Sequence, residues 1–175
     1  MPNSKKVRIR KRKLADALDN YIWQTDPDLA RLNAIPVQEV QETTFDRYLA
    51  GYWNEIRHPS PDKHVFAIET LAGSHIGTCS CYNIDETRGE GELGIMIGNR
   101  SCRDKGYGTD TVTTLLNHIY RATKLNRIYL KTLHSNHRAQ RCFEKCGFTT
   151  CGHLSRDGCR FILMEISRQR WQERK

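Results

Sequence analysis

Residues 7–10 (Val-Arg-Ile-Arg) alternate apolar and basic, the period of a strand with one face in solvent. Asp26-Pro27 reads as an N-cap followed by proline at the first helical position, opening a helix through Asn33. Thr43 or Thr44 caps a second helix, whose Phe45, Tyr48, Leu49 and Trp53 recur at helical spacing. Residues 64–70 predict a strand, Ala72-Gly73-Ser74 a turn, and 75–84 its hairpin partner. A looser turn rich in Asp, Glu and Gly at 85–91 leads into a strand at 92–97. From there the period lengthens. Val112, Leu115, Leu116, Ile119 and Tyr120 form one apolar face of a helix that begins just after Gly108. Residues 126–133 predict a strand, and Ala139, Cys142, Phe143 and Cys146 share one face of a further helix. Gly147 fits the left-handed position just past its end, with Phe148 folding back on the last turn. Two short strands, 148–154 and 160–166, flank Arg156-Asp157-Gly158, and Asp-Gly is a strong hairpin signal. The order is strand, two helices, three strands, helix, strand, helix, two strands, which predicts a mixed-sheet α/β domain.

A length of 175 residues matches one domain with a generous core, and 38% hydrophobic against 27% charged residues fits a globular chain. The longest apolar run, Phe161 to Met164, is far too short to span a membrane, and the N-terminus lacks the apolar stretch of a signal peptide. Seven cysteines with no secretory context argue against a disulfide framework, and neither they nor the histidines keep a zinc-site spacing. No metal is expected, and a reducing cytoplasm is the expected compartment. The net charge of +8 is terminal: residues 1–13 carry seven bases and no acid, and the tail 167–175 four bases against Glu173. The body between them holds 17 bases and 19 acids, so a nucleic-acid partner is not expected and the basic start reads as a protected edge strand.

The most informative segment is Arg103-Asp104-Lys105-Gly106-Tyr107-Gly108, between a predicted strand and an amphipathic helix. A glycine-rich turn there lets successive backbone N–H groups converge at the positive end of a helix dipole, an arrangement suited to a pyrophosphate. Arg100, Arg103 and Lys105 add positive charge. Thr111 stands where a dinucleotide fingerprint needs a third glycine, and no Gly-Lys-Ser/Thr follows.

This turn, the strand 92–97 before it, the strand 126–133 after it, and Asn136-x2-Ala139-x3-Phe143-Glu144-Lys145-x-Gly147-Phe148 together resemble the GNAT superfamily of acyl-CoA N-acyltransferases. Trp23 with Asp26-Pro27 near the start, and Met164-Glu165-Ile166 with Trp171 near the end, look most like the branch that acetylates the N-termini of ribosomal proteins. The stretch from Gly152 to Asp157 is shorter than the connection common in that branch. The resemblance implies one GNAT domain over 1–175, a mixed, mostly antiparallel sheet flanked by helices, its fourth and fifth strands split where a bulge stops them pairing. It also implies acetyl-CoA as acyl donor and a primary amine as acceptor. In the family the pantetheine arm lies in that split. Ile95, Met96 and Ile97 would bond it through their backbone, with one amide polarising the thioester carbonyl. Arg103, Asp104, Lys105, Gly106, Tyr107, Gly108 and Thr109 would hold the pyrophosphate, Asn136 the pantetheine end, and Ala139 and Phe143 the channel wall. Arg138 or Arg141 would reach the nucleotide phosphates, or else form a solvated helix face.

An alkyl amine of pKa near 10 is only about 0.1% neutral at pH 7, so a proton must leave as or before it attacks. Glu92, 14 residues before Gly106, stands where relatives that use a glutamate base on this strand keep it, and is the expected base. His134, of a residue type that exchanges protons near neutral pH, is the second candidate. Many relatives carry a proton-donating tyrosine where Phe143 stands, and phenylalanine cannot donate. For the acceptor, Trp23 and Trp53 are the named candidates, with Asp26 and Glu55 beside them. The expected acceptor is a protein or peptide α-amine. A small amine (polyamine, amino sugar or aminoglycoside), a non-catalytic acyl-CoA sensor, and a second copy of the chain as partner are kept open.

Overall fold

The computed structural model describes residues 6–34 and 43–174. Seven strands, β1 (Val7–Lys11), β2 (His64–Thr70), β3 (His75–Asp85), β4 (Glu90–Ile97), β5 (Arg127–Leu133), β6 (Thr149–Arg156) and β7 (Cys159–Ser167), form one sheet in the order β1-β2-β3-β4-β5-β7-β6. Every pairing is antiparallel except β4 with β5. The helices are α1 (Ala17–Gln24), α2 (Pro27–Leu32), α3 (Phe45–Arg57), α4 (Tyr107–Ala122), α5 (His137–Lys145) and α6 (Arg168–Glu173). The mixed sheet and its order of elements agree with the sequence reading, and most boundaries lie within two residues of it.

Two helices escaped that reading. In α1 Leu18 and Ile22 are each 53% exposed, while the small Ala17 and the polar Asn20 are buried. The usual apolar stripe is therefore missing. The segment expected as a basic tail instead forms α6, too short to show a period, with Trp171 as its buried anchor. Arg168 lies over the Tyr120 ring at 4.9 Å and donates to the carbonyls of Tyr120, Thr123 and Leu125. It thereby satisfies carbonyls that the end of α4 leaves without intrahelical partners.

The core is the apolar face of α4, with Val112, Leu115, Leu116 and Ile119 packed against Ile68, Ile76, Ile128, Leu130, Met164 and Ile166 of the sheet. Asp110, in the first turn of α4, accepts the amides of Lys6 and Val7 at 2.6 and 2.9 Å and so fixes the edge strand β1 to that helix. Three arginines of this basic start pair with acids of the same chain: Arg10 binds Asp16 and Glu69, Arg8 binds Glu69 from a largely exposed position, and Arg12 just past β1 binds Glu55.

Strands β4 and β5 face each other only at Glu90–Arg127, Gly91–Ile128 and Glu92–Tyr129. Beyond Glu92 they part. β4 stays paired with β3 as far as Ile97, and β5 stays with β7 as far as Leu133. The bulge expected at the split lies elsewhere. The β3–β4 register is continuous over 92–97, and its irregularity falls on β3 between Tyr82 and Asp85, where Asn83 has φ +51°.

Two glycines test this packing. A Cβ on Gly77 would lie 2.1 Å from the Met96 carbonyl oxygen on the facing strand, whereas a Cβ on Gly51, in the middle of α3, meets nothing within 4 Å. Gly77→Ala is expected to destabilise by about 3 kcal/mol, because backbone must move, and Gly51→Ala to stabilise by about 0.5–1 kcal/mol. Urea midpoints of the two variants moving the same way would contradict the β3–β4 register.

Candidate active site

Helix α4 begins without a side-chain cap. Its N-cap Gly106 has φ +82°, Asp104 just before it has φ +59°, and Asp110 faces β1. The first amides of a sixteen-residue helix therefore point, unpartnered by a capping side chain, into a cavity of about 260 Å³. Ile95, Met96 and Ile97 of β4, Gly108 and Thr109 of α4, and Ala139 and Phe143 of α5 line it. Arg103 and Arg138 line it too, and their mutual repulsion adds to burial in holding the Arg103 guanidinium below its ordinary pKa. Two cations crowded beside a helix N-terminus are suited to an anionic ligand.

Of the residues expected around a cofactor, Ile95, Met96, Ile97, Arg103, Asp104, Gly106, Gly108, Thr109, Asn136, Ala139 and Phe143 come together on this cavity. Asn136 uses its side-chain oxygen to cap α5, accepting the Ala139 amide at 3.2 Å. Lys105 and Tyr107 are not among the lining residues. The Lys105 carbonyl accepts from the Lys6 ammonium at 2.7 Å, and the Tyr107 ring packs against the core. Arg100 also turns away, binding Asp26 at 2.7 Å and Asp28 at 3.1 Å and so tying the start of α2 to the segment before α4.

A second cavity, of about 300 Å³, opens between α1, α2 and the sheet and is lined by Trp23, Gln24, Ala30, Asn33, Thr78, Ser80, Gly94, Ile95 and Met96. Asn33, Ile95 and Met96 belong to both cavities, so the two meet at the stretch of β4 that β5 has left. Among the described residues, none that lines the second cavity is charged. Trp23 packs on Gly98, where a Cβ would fall 2.0 Å from its ring, and against the His75 ring at 4.8 Å.

Trp53 does not join the acceptor side. Helix α3 turns Tyr52 inward and leaves Trp53 43% exposed, with the Arg57 guanidinium 5.9 Å from its ring centre. The two acids named with the tryptophans are committed elsewhere. Asp26 caps α2 and binds Arg100, which holds its carboxyl below the usual carboxylate range, while Glu55 binds Arg12 and Lys63. His134 is exposed at the end of β5, its ring 6.4 Å from that of His137, and lines neither cavity.

Glu92 is buried, at 1% exposure, where β4 and β5 part. One carboxylate oxygen accepts from Asn83 Nδ2 at 3.0 Å and the other lies 3.2 Å from Lys131 Nζ. Tyr82 stands opposite Glu92 in the β3–β4 register; burial first, then the charge of Glu92, pushes that phenol's pKa up. Glu92 itself lines neither cavity, but a Cβ on Gly94, a residue of the second cavity, would lie 3.2 Å from the Tyr82 ring. The Tyr82 ring therefore packs on the back of a residue that lines that cavity. Tyr82, Asn83, Lys131, Thr78 and Ser80 were not singled out from the sequence. The hairpin register that sets Tyr82, Ser80 and Thr78 opposite Glu92, Gly94 and Met96 was the signal available.

A sequence model of the acetyltransferase (GNAT) domain matches residues 6–149. The uncharacterized N-acetyltransferase p20 of Bacillus licheniformis is 26% identical over 129 residues, covering 73% of this chain and 70% of that protein. Among solved structures, a spermidine N-acetyltransferase from Vibrio cholerae in complex with CoA and spermine superposes with a TM-score of 0.84 at 20% identity, over 97% of this chain and 99% of that one. The aminoglycoside acetyltransferase AAC(6')-Ib with coenzyme A gives 0.78 at 20% identity, over 95% and 98% of the two chains.

Proposed function

Because the chain belongs to the GNAT acetyltransferase family and is with it an N-acetyltransferase, we propose that it moves an acetyl group from acetyl-CoA directly to a primary amine, and that this amine is the α-amine of a protein or peptide. The observation that carries the reading is the meeting of two cavities at Ile95 and Met96, one ending on the uncapped start of α4 between Arg103 and Arg138, the other with no charged side chain among its described residues. When bound, acetyl-CoA supplies an acetyl group already activated as a thioester. The protein's part is to hold the anionic end on the α4 amides and the two arginines, to keep the chain of the ligand against Ile95, Ile97, Ala139 and Phe143, and to present the amine from the Trp23 side. Glu92 takes the amine's proton, directly or relayed through ordered water. Phe143 donates nothing; a thiol in the range of about 8.5 leaves without a dedicated acid.

The acceptor class rests on charge. A polyamine or an aminoglycoside carries several cations that favour acidic partners, and the described lining offers Gln24, Asn33, Thr78 and Ser80 instead. Small amines are the second reading, favoured by the spermidine and aminoglycoside acetyltransferases that share the fold. Within the peptide reading, the ribosomal-protein branch is the finer proposal, with the tight turn at Asp157 and Gly158 in place of that branch's longer connection.

Thermal unfolding with acetyl-CoA, CoA and ATP in parallel tests the donor. A ligand at a hundredfold its dissociation constant stabilises by about 2.7 kcal/mol, several degrees for a chain of this size. A shift with both CoA species and none with ATP is expected; no shift with either CoA species would overturn the cofactor reading. Product mass with a short peptide, spermidine and kanamycin, each with acetyl-CoA, then decides the acceptor, and acetylation of spermidine alone would transfer the chain to the second reading.

A further inference from the structure

Cys142 sits on α5 one position before Phe143, is only partly buried, and lines the first cavity. Its sulfur faces the start of α4: a Cβ on Gly108 would lie 3.4 Å from it, and the Thr109 hydroxyl is at 3.6 Å. Cys146, one turn further along at the end of α5, is buried, and its thiol donates to the Thr109 carbonyl oxygen at 3.6 Å. The neighbouring Cys146 thiol first, then, against burial, Thr109 and the charges of Lys145 and Arg138 hold the Cys142 thiol below its ordinary pKa. Cys146 is pushed the opposite way and keeps its proton. Cys79 and Cys81 are buried, and their thiols are pushed up by that burial. Arg103, Arg138, Arg141 and Lys145 line the same cavity and favour an anionic reagent in it.

We propose that Cys142 is a thiolation site for small anionic disulfides. Its thiolate attacks one sulfur of the disulfide, a protein–sulfur bond forms as the original sulfur–sulfur bond breaks, and the other half leaves as a thiolate. The half that stays occupies the space between α4 and α5. That it thereby shuts out acetyl-CoA rests on the reading of the cavity given above; the thiolation itself does not. Reduction by excess free thiol reverses it.

The test treats the full chain with oxidised glutathione, and in parallel with the cationic disulfide cystamine, and follows each cysteine by peptide mass over a range of pH. A thiol held below its ordinary pKa offers more thiolate at neutral pH, and its lower nucleophilicity offsets part of that gain. The expected result is glutathionylation of Cys142 ahead of exposed Cys151, with a rate midpoint below that of an ordinary thiol and a slower reaction with cystamine. Cys146→Ala should move that midpoint upward, and Cys142→Ser should lose the adduct. Labelling of Cys151 with Cys142 untouched would overturn the proposal, as would an unchanged midpoint in the Cys146→Ala protein. The thermal shift given by acetyl-CoA, compared before and after treatment within each variant, reports the blocking separately. Untreated protein that shows no shift but still labels at Cys142 would sink the cofactor reading and leave the thiolation standing.

Discussion

Replacing Gly108 by tryptophan should abolish the stabilisation by acetyl-CoA while leaving the unliganded protein folded. The position is the second residue of α4 and lies on the wall of the cavity, between the uncapped amides and the arginine pair. The nearest atom to a new Cβ is the Cys142 sulfur at 3.4 Å, an ordinary contact distance, so the start of α4 accepts a side chain and the indole extends into open space. That space is what a pyrophosphate would need. Removing glycine from a helix also favours the folded state slightly. The expected loss of affinity is at least 100-fold, or about 2.7 kcal/mol. A Gly108→Trp protein that unfolds at the parent temperature yet still gains several degrees with acetyl-CoA would place the cofactor elsewhere. One that has simply lost stability would show it without ligand, which separates the two outcomes.

Glu92→Gln should lower turnover by about 10²- to 10⁴-fold, the usual contribution of a positioned base, with little change in the affinity for acetyl-CoA. The amide keeps the shape of the side chain and its bond with Asn83, and it removes the charge that faces Lys131 at 3.2 Å. Part of any effect could therefore come from a lysine left without its partner. Combining Glu92→Gln with Lys131→Met removes both charges and isolates the proton transfer. Stability should return towards that of the parent in the double variant, and turnover should not. If turnover returns as well, Glu92 acts by holding the strands, not as a base. The pH–rate profile gives an independent check, since the loss of a base changes its shape and the loss of a strut only its height.

Much of this site was legible before any coordinates, and the reasons differ by residue. The turn at 103–108 and the residues of α5 that share its cavity are set by local chemistry: a glycine at positive φ, a helix that starts without a cap, and an apolar face of period 3.6. Glu92 was found by its spacing from the turn. Its partners were not, because Asn83 reaches it only through an irregularity in β3, and Lys131 only across a gap between strands far apart in sequence. Helix α1 was hidden because its fully buried positions are the small Ala17 and the polar Asn20, while Leu18 and Ile22 face outward. Trp23 and Trp53 looked equivalent as bulky residues near the start, but the facing glycine at 98 gives only Trp23 a seat on the sheet. Periodicity carries which face of an element is buried; it carries nothing about what stands opposite.

The narrowness of the join between β4 and β5 has a consequence for how the molecule yields. Three facing pairs connect a block of four strands, β1 to β4, to a block of three, β5 to β7, and Arg127 spans them by binding Glu90 at 2.7 Å and Glu165 at 2.6 Å. Among the sheet's seams this one breaks the fewest backbone bonds when it opens, so the weakest line of the fold runs through the place where the two cavities meet. A guest lying along the unpaired edge of β4 completes the sheet there. Occupancy and mechanical cohesion then rise together, and the empty protein is the more pliable of the two states.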